Sequence, residues 1–483
     1  MKKAKRLFAI SMAALMAAAS LAACGNSSSE TQAPAGDSTG GGDQTSEQTL
    51  PKITDITLGE DYTDLTADIH FLTHKTDVVD TLFVDYVTQF NELYPNIHIE
   101  YEAVTNYADD VTMRLSSDDW GDVCMIPTTL EKADYPTKLV SFGPVDELSE
   151  SYIMLNNQAY EGQAYGIPSM GNVQGIVYNK QVFADAGITE LPKTPDEFLD
   201  ALQQIKDNTD AIPLYTNFAA VWTMGAWNAY ISGSATGDPD FTNMGLTHGL
   251  NPFSKHDDMT GPYAVYYTLY EAVARGLVED DPTTTDWEGS KGMINNGQIG
   301  CMVLGSWAIT QMQGGGSHPE DIAYMPFPIT VNGQQYVSAG PDYAYGINAT
   351  SSYEDQLGAM IYIKWLTEES GFAENQGGIS IVKDAPYPET LKDMEGIPLV
   401  MDNPALEGEE DLYNNINTES ELGINVANEP IQEIVQDALT GARTLDEIMD
   451  EWNQKWTAAQ EANGVTPEAY DYIAAISGSS TAE

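Results

Sequence analysis

The sequence predicts an α/β protein with a largely parallel sheet, and three observations carry that prediction. Strand and helix patterns alternate between residues 67 and 127. Two runs, DVCMIP (122–127) and IGCMVL (299–304), are apolar without alternation, as in strands covered on both faces. The chain from about residue 49 is some 430 residues long, and 42% of the whole sequence is hydrophobic, enough for two or more domains with real cores.

Each element has its own justification. ADIHFLTH (67–74) alternates and carries β-branched and aromatic residues, so it is the first strand. DTLFVDYVTQFNELYP (80–95) sets Leu82, Phe83, Tyr86, Val87, Phe90 and Leu93 along one helical face, and Pro95 ends it. NIHIEYEAV (96–104) alternates as a second strand, DDVTMRLSS (109–117) is a second helix, and GDVCMIP (121–127) is a third strand. QAYGIPSMGNVQGIVYNKQVF (163–183) is a strand pair broken at Gly and Asn. TPDEFLDALQQIKDNT (194–209) is a helix capped by Thr194, with Pro195 first and Glu197 three residues from the cap. IPLYTNFAAVWTMGAWNAY (212–230) begins as a strand and becomes an apolar helix. Residues 261–278 are helical, and QIGCMVLGSWAITQM (298–312) is a strand, a turn and a helix start. Helices follow at 354–370, 429–441 and 444–463. The stretch 231–259 is long and unassigned, no internal repeat is visible, and the tail 477–483 is expected to be disordered.

Residues 1–23 read as a secretory signal: Lys2, Lys3, Lys5 and Arg6 precede an uncharged run rich in Ala, Leu and Met. That run is marginal as a membrane span, which needs about 20 apolar residues. Its end, Leu21-Ala22-Ala23-Cys24, resembles the bacterial lipobox, which implies that Cys24 is lipidated (a palmitate-type acyl anchor) and becomes the mature N-terminus. Residues 24–50 are Gly, Ser, Thr, Gln and acid, with nothing to bury. They are read as a flexible acidic tether spanning roughly 25–30 Å.

Charge narrows the ligand class. Twenty basic residues against 73 acidic give −53, and loss of the leader's four basic residues leaves 16 against 73, or −57. Such a balance repels nucleic acid and phosphate-rich ligands. It suits a neutral or cationic ligand, or an exported surface kept soluble. Cys124 and Cys301 sit in apolar runs and read as two buried thiols, with a disulfide as the alternative. The six histidines form no metal-binding spacing, so no metal and no cofactor is expected.

At QIGCMVLGSW the pattern resembles a segment of the extracellular solute-binding proteins (family 1) that serve carbohydrate ABC importers, the maltose and oligosaccharide binders among them. Further stretches fit in order: THK (73–75), WGDVCMIP (120–127), AYGIPSMGNVQGIVYNKQVFADAGI, IPLYTNFAAVW, DIAYMPFPI, the run from SAGPDYAYGIN to IKWLTEES, and GGISIVKDA. The resemblance covers roughly residues 65–460. It implies a two-lobed periplasmic-binding-protein-like fold of the class II type, with hinge crossings and an interlobe ligand cleft. The solute-binding domain would span 51–476. Lobe 1 is expected at about 65–172 with a later segment near 325–375, and lobe 2 at about 178–320 with 376–470.

Within that frame Trp307, after LGS at a strand end, matches the family's sugar-stacking tryptophan. A pyranose offers an apolar C–H face to such a ring and hydroxyls to planar polar groups. Trp222 and Trp287 are further ring candidates, whereas Trp227 reads more simply as core. His74 and Lys75 match a polar pair at the end of the first strand, and Thr128 sits at the end of the third. Asn172 matches a ligand-contacting position before the crossing strand, and Asp342 and Tyr343 lie in a turn facing the cleft. His74 and Lys75 are expected on one wall, with Trp307 and Asp342 on the other; Asn428 and Glu429 are looser candidates. The implied function is a lipid-anchored, monomeric binding component at the extracellular face of the cell membrane. It would capture a neutral oligosaccharide and deliver it to permease subunits by hinge closure, without catalysis or nucleic-acid binding. A polyamine binder of the same fold is the alternative, and a secreted glycosidase the third reading; no hydrolase signature supports that one.

Overall fold

Ala67–Thr73 buries alternate side chains as far as Phe71, and Leu72 and Thr73 as well at its end, and pairs in parallel with Ile97–Ala103, from Ala67 opposite Ile97 to Thr73 opposite Ala103. The computed structural model describes residues 49–479 except 77, 106, 118, 119, 128 and 426, so the expected leader, Cys24, most of the expected tether and Thr128 lie outside the described residues. The helix Leu82–Leu93 connects the two strands and buries Phe83, Tyr86 and Phe90, the spacing of one helical face. Val123–Met125 adds in parallel on the other side of Ala67–Thr73. Beyond it Ala344–Ile347 runs antiparallel, with Ile347 opposite Val123, followed by Ile167–Pro168. Ser352 caps the helix Tyr353–Glu368 by accepting the Asp355 amide at 3.1 Å. This helix lies on the first strand at Gly358, where a Cβ would come within 2.8 Å of Ala67.

The second sheet has the order Leu399–Val400, Val337–Pro341, Gly171–Asn179, Ile299–Gly305, Ile212–Leu214. Ile322–Pro326 pairs antiparallel with the inner half of Gly171–Asn179. Thr194 caps Pro195–Asn208 as its sequence requires, accepting from the Glu197 amide at 3.3 Å. Thr444 and Glu447 form a reciprocal cap on Leu445–Ala462. The core of this sheet gathers Trp227, Tyr230, Phe253, Tyr266 and Trp456. Cys124 and Cys301 are separate buried thiols.

Two α/β lobes result, each with its own apolar cluster, and the predicted two-lobed α/β class is borne out. The sheets, expected to be largely parallel, are mixed, because the crossing strand Gly171–Asn179 pairs antiparallel with three neighbours and Ala344–Ile347 returns antiparallel to Val123–Met125. The chain passes between them three times. It crosses first between residues 170 and 171, and returns between 341 and 342. There the Asp342 amide donates to Met170 at 2.9 Å and the Ser169 amide to Tyr343 at 3.0 Å. The third passage is at 378–382, where Gly171 and Ile379 exchange two backbone bonds of 2.8 Å. Gly171 is fixed by this crowding: a Cβ would lie 2.7 Å from both Met154 Sδ and Ile379 Cγ1.

The lobe limits differ from those expected. Ile322–Pro326 and Val337–Pro341 hydrogen-bond into the second sheet, so the return to the first lobe begins at Asp342 rather than near 325. Ile381 buries in the first core, so the chain leaves that lobe after 382 rather than at 376. The apolar helix expected within 212–230 is a 3-10 segment, Val221–Tyr230. The unassigned 231–259 is built from Gly233–Thr236, a wide turn at Phe241–Leu246 and the buried Phe253. Of the tail expected to be disordered at 477–483, residues 477–479 close the helix Tyr472–Ser479, and 480–483 lie outside the described residues. Among the described residues no helix is long and apolar enough to cross a membrane.

Candidate ligand-binding cleft

In open α/β sheets, loops at the carboxyl ends of parallel strands converge and build sites. Both lobes present such ends. In the second lobe, Ile299–Gly305 leads through buried Ser306 to Trp307 at the start of the helix Ala308–Gly314. Ser306 is pinned to the crossing strand: its amide donates to Val173 O at 2.9 Å, and its Oγ accepts the Val173 amide at 3.2 Å. Residue 305 must be glycine for the ring to settle, since a Cβ would lie 2.6 Å from Trp307 Nε1. Trp307 packs against the apolar cluster of the first lobe as well as one in the second.

Trp222 follows the parallel strand Ile212–Leu214, at the start of Val221–Tyr230. Trp287 opens the helix Trp287–Asn295, capped by Asp286, whose own amide donates to Tyr215 OH at 2.8 Å. The Ala219 amide donates to Thr285 Oγ1 at 2.8 Å and ties these two loops together. As a result Trp222 lies 5.0 Å from Trp287 and 5.7 Å from Trp307, and Trp287 and Trp307 are 5.9 Å apart. The planes are inclined by 47–79°, so the rings form an angular wall rather than a stack. Trp222 is 48% exposed despite its size. An exposed indole between two others is a ready platform for an apolar ligand face.

Behind this wall Glu279 is buried and accepts the Thr216 amide at 2.9 Å, and the Thr216 hydroxyl also donates to it. Burial pushes its carboxyl above the usual range.

The first lobe supplies a second aromatic group at its own strand ends. The His74 ring lies 4.4 Å from Tyr343 and 5.6 Å from Tyr107, and Tyr107 meets Tyr343 edge-on at 5.8 Å. Tyr107 holds its place by donating to Leu72 O at 3.0 Å and accepting the Met125 amide at 2.8 Å, and burial raises its phenol well above the ordinary value. Lys75 Nζ is 3.8 Å from Asp342 Oδ2 and 5.9 Å from the Phe372 ring centroid. Both members of this ion pair are largely buried, so neither is screened as a surface charge would be.

Between the walls, Asn172 and Gln174 project from one face of the crossing strand. Asn172 stands opposite Gly340, and Gln174 opposite Gly305. Asn172 Oδ1 is buried without a hydrogen-bond partner among the described residues.

The structure thus brings Trp222, Trp287 and Trp307 together on one lobe and His74, Lys75, Asp342 and Tyr343 on the other, with Asn172 between. Asp342, expected across the cleft from Lys75, is instead its ion-pair partner, because the chain has re-entered the first lobe at that residue. Asn428 accepts the Gly225 amide at 3.0 Å and serves the 3-10 segment, while Glu429 is exposed. Trp227 is 2% exposed and belongs to the core. Tyr107 and Gln174 escaped the sequence reading. Tyr107 follows the end of the second strand, the position that singled out His74; Gln174 is signalled by its alternation with Asn172 on a strand otherwise buried. Among the described residues no group of His, Cys, Asp and Glu could hold a metal ion.

Comparison with known proteins gives this geometry its context. Residues 76–371 match the bacterial extracellular solute-binding protein family. The chain is 47% identical to a manno-oligosaccharide-specific solute-binding protein of Bifidobacterium animalis subsp. lactis, solved with mannotriose. That likeness covers 85% of this chain and 99% of that one, with a TM-score of 0.79. A second binding protein of an ABC transporter from the same organism, solved with mannobiose, is 49% identical over the same shares of both chains, also at 0.79. A diacetylchitobiose-binding protein of Streptomyces coelicolor is 48% identical over 62 residues, 13% of this chain and only 15% of that relative's length. The likeness to the two solved proteins spans both lobes and the crossings between them, and the chain belongs to the bacterial extracellular solute-binding proteins.

Proposed function

We propose that the protein is the binding component of an ABC importer and captures a neutral manno-oligosaccharide between its lobes. As a member of a solute-binding family it is a transport component, not an enzyme. The observation that carries the sugar reading is the inclined wall of Trp222, Trp287 and Trp307 set against an amide-bearing crossing strand. Apolar ring faces and unpaired amides together suit a ligand with C–H faces and equatorial hydroxyls. The high identity to two manno-oligosaccharide binders supports the choice of mannose-based chains. A polyamine would need carboxylates exposed to it, whereas Asp342 is already paired with Lys75.

The mechanism follows from the three crossings. Ligand touching both walls favours the arrangement in which they approach, a hinge-type population shift. The permease subunits would read that closed form. Lipidation at Cys24 and a flexible tether would hold a monomeric binding domain at the extracellular face of the membrane, within reach of the permease. Titration calorimetry of the purified protein with mannobiose, mannotriose and spermidine tests the reading. Saturable heat with the mannosides alone is expected; binding of spermidine alone would overturn it.

A further inference from the structure

One line of side chains crosses the second sheet strand by strand. It starts at Trp222, beyond Ile212–Leu214, and passes Trp307 beyond Ile299–Gly305. It continues through Gln174 on the crossing strand to Ser338 and Gly340 on Val337–Pro341, and ends at residues 401–403 beyond Leu399–Val400. Gln174 and Gly305 are partners in register, as are Asn172 and Gly340, so these positions share one face of the sheet. Four strand spacings of ~4.8 Å make the line about 19 Å long.

Its chemistry changes from end to end. The tryptophan end is apolar. The other end opens into a cavity of about 390 Å³, lined among others by Gln174, Asn228, Ser232, Ser338, Gly340 and Asn403. That size lies within the range of small-molecule sites, about 300–1,000 Å³. The lining is rich in amides and hydroxyls. Its carboxylate, Asp402, already accepts from Ser232 at 2.8 Å and Thr242 at 2.6 Å, and no Lys or Arg lines it among the described residues.

Several of these groups have bonding capacity to spare. The Gln174 side chain has no hydrogen-bond partner in the chain among the described residues, although it lies 3.1 Å from where a Cβ on Gly305 would be. Asn228 is buried, and Tyr266 OH donates to its Oδ1 at 2.9 Å, which leaves the amide hydrogens unused. Ser338 Oγ accepts the Ser234 amide at 2.8 Å, so its own proton can be donated elsewhere. Gly340 leaves open space: a Cβ there would meet nothing within 4 Å. Both Gln174 and Asn228 line the cavity, where a ligand hydroxyl is the group their amides would meet.

We propose that this cavity is a second, polar sugar subsite, and that the protein is built for a linear neutral oligosaccharide longer than a disaccharide. The inference rests on the manno-oligosaccharide reading above. One end of the chain stacks on the tryptophans, and the chain then passes Gln174. Its far hydroxyls are read by Gln174, Asn228 and Ser338. A hexose advances a chain by roughly one strand spacing, so a line of about 19 Å accommodates about four residues.

The test is titration calorimetry with mannobiose, mannotriose and mannotetraose on the wild-type protein, Gln174→Leu, Gly340→Leu and Trp307→Ala. Wild-type affinity is expected to rise at least about tenfold from the disaccharide to the tetrasaccharide. In Gln174→Leu and Gly340→Leu that gain should vanish, whereas Trp307→Ala should weaken all lengths alike. A circular-dichroism melt checks that Gly340→Leu folds; if it does not, Gln174→Leu decides. Wild-type protein that binds mannobiose and mannotetraose equally, or a folded Gln174→Leu that keeps the full gain, overturns the subsite and leaves the function standing. Wild-type protein that binds no mannoside overturns both.

Discussion

Replacing Trp307 by alanine separates a binding role from a packing role, and the structure sets the magnitudes. The ring is partly buried, within 6 Å of two other indoles, and packs against clusters in both lobes. A central aromatic anchor of this kind costs at least about 2 kcal/mol when truncated, or some thirtyfold in affinity. The free protein also loses packing, but less than the 3–5 kcal/mol typical of a fully buried aromatic. Trp227, 2% exposed in the core of the second lobe, provides that upper reference. Calorimetry with mannotriose gives the affinities, and thermal melts of ligand-free Trp307→Ala and Trp227→Ala give the stabilities. The expected result is a thirtyfold or greater loss of affinity for Trp307→Ala with a midpoint between wild type and Trp227→Ala. Trp307→Phe, which keeps an apolar face, should recover part of the binding. Affinity within threefold of wild type, or a midpoint as low as that of Trp227→Ala, would refute the stacking argument and make Trp307 a core residue.

Asp342→Asn removes the carboxylate that Lys75 faces at 3.8 Å and leaves a largely buried cation unpaired; mannotriose affinity should fall about tenfold or more, as for hydrogen bonds to charged groups, and an unchanged Kd would exclude the pair from the site. Glu279 has a folded-state carboxyl held above its ordinary value by burial. Its contribution to stability is therefore full below the unfolded pKa and is lost as pH rises through the folded value; melts from about pH 4 to 7 should show wild type losing stability relative to Glu279→Gln as pH rises, and the opposite slope would contradict the burial argument. Cys24→Ala should release the protein from membranes or leave it unprocessed, because two acyl chains on that residue are what would anchor it; fractionation that finds mature, membrane-bound variant would sink the lipoprotein assignment. Small-angle scattering should show a smaller radius of gyration at saturating mannotriose, and an unchanged radius would argue against hinge closure.

The first sheet was legible because its strands and connecting helix keep clean periods of 2 and 3.6, as Ile69, Phe71, Phe83, Tyr86 and Phe90 show. The Thr194 cap was legible for the same reason: its partner Glu197 is local. What resisted reading was set by pairing between distant segments. Trp222 and Trp287 are 65 positions apart in the sequence, and only the adjacency of their strand ends makes them neighbours. Asp342 was placed on the wrong wall because the point at which the chain re-enters the first lobe depends on the bond from its amide to Met170. Gln174 looked like one more strand residue until the partner glycine at 305 gave its face an open side. The segment 231–259 has no period because its buried residues, Ala235, Phe241, Leu246 and Phe253, come from short turns that the surrounding core shapes.

The antiparallel pairing of Ala344–Ile347 with Val123–Met125 also bears on how the molecule can be made. The fourth strand of the first sheet, and the helix Tyr353–Glu368 that covers its first strand, emerge only after almost the whole second-lobe sheet has been synthesised. The amino-terminal lobe is therefore unfinished when the ribosome has already produced the central portion of the other, with Val123–Met125 presenting an unpaired edge in the meantime. Contacts of such long sequence separation close slowly, since loop entropy must be overcome before they form. Under the export proposed above the delay would be useful: a chain that cannot finish its first lobe early stays threadable until it has crossed.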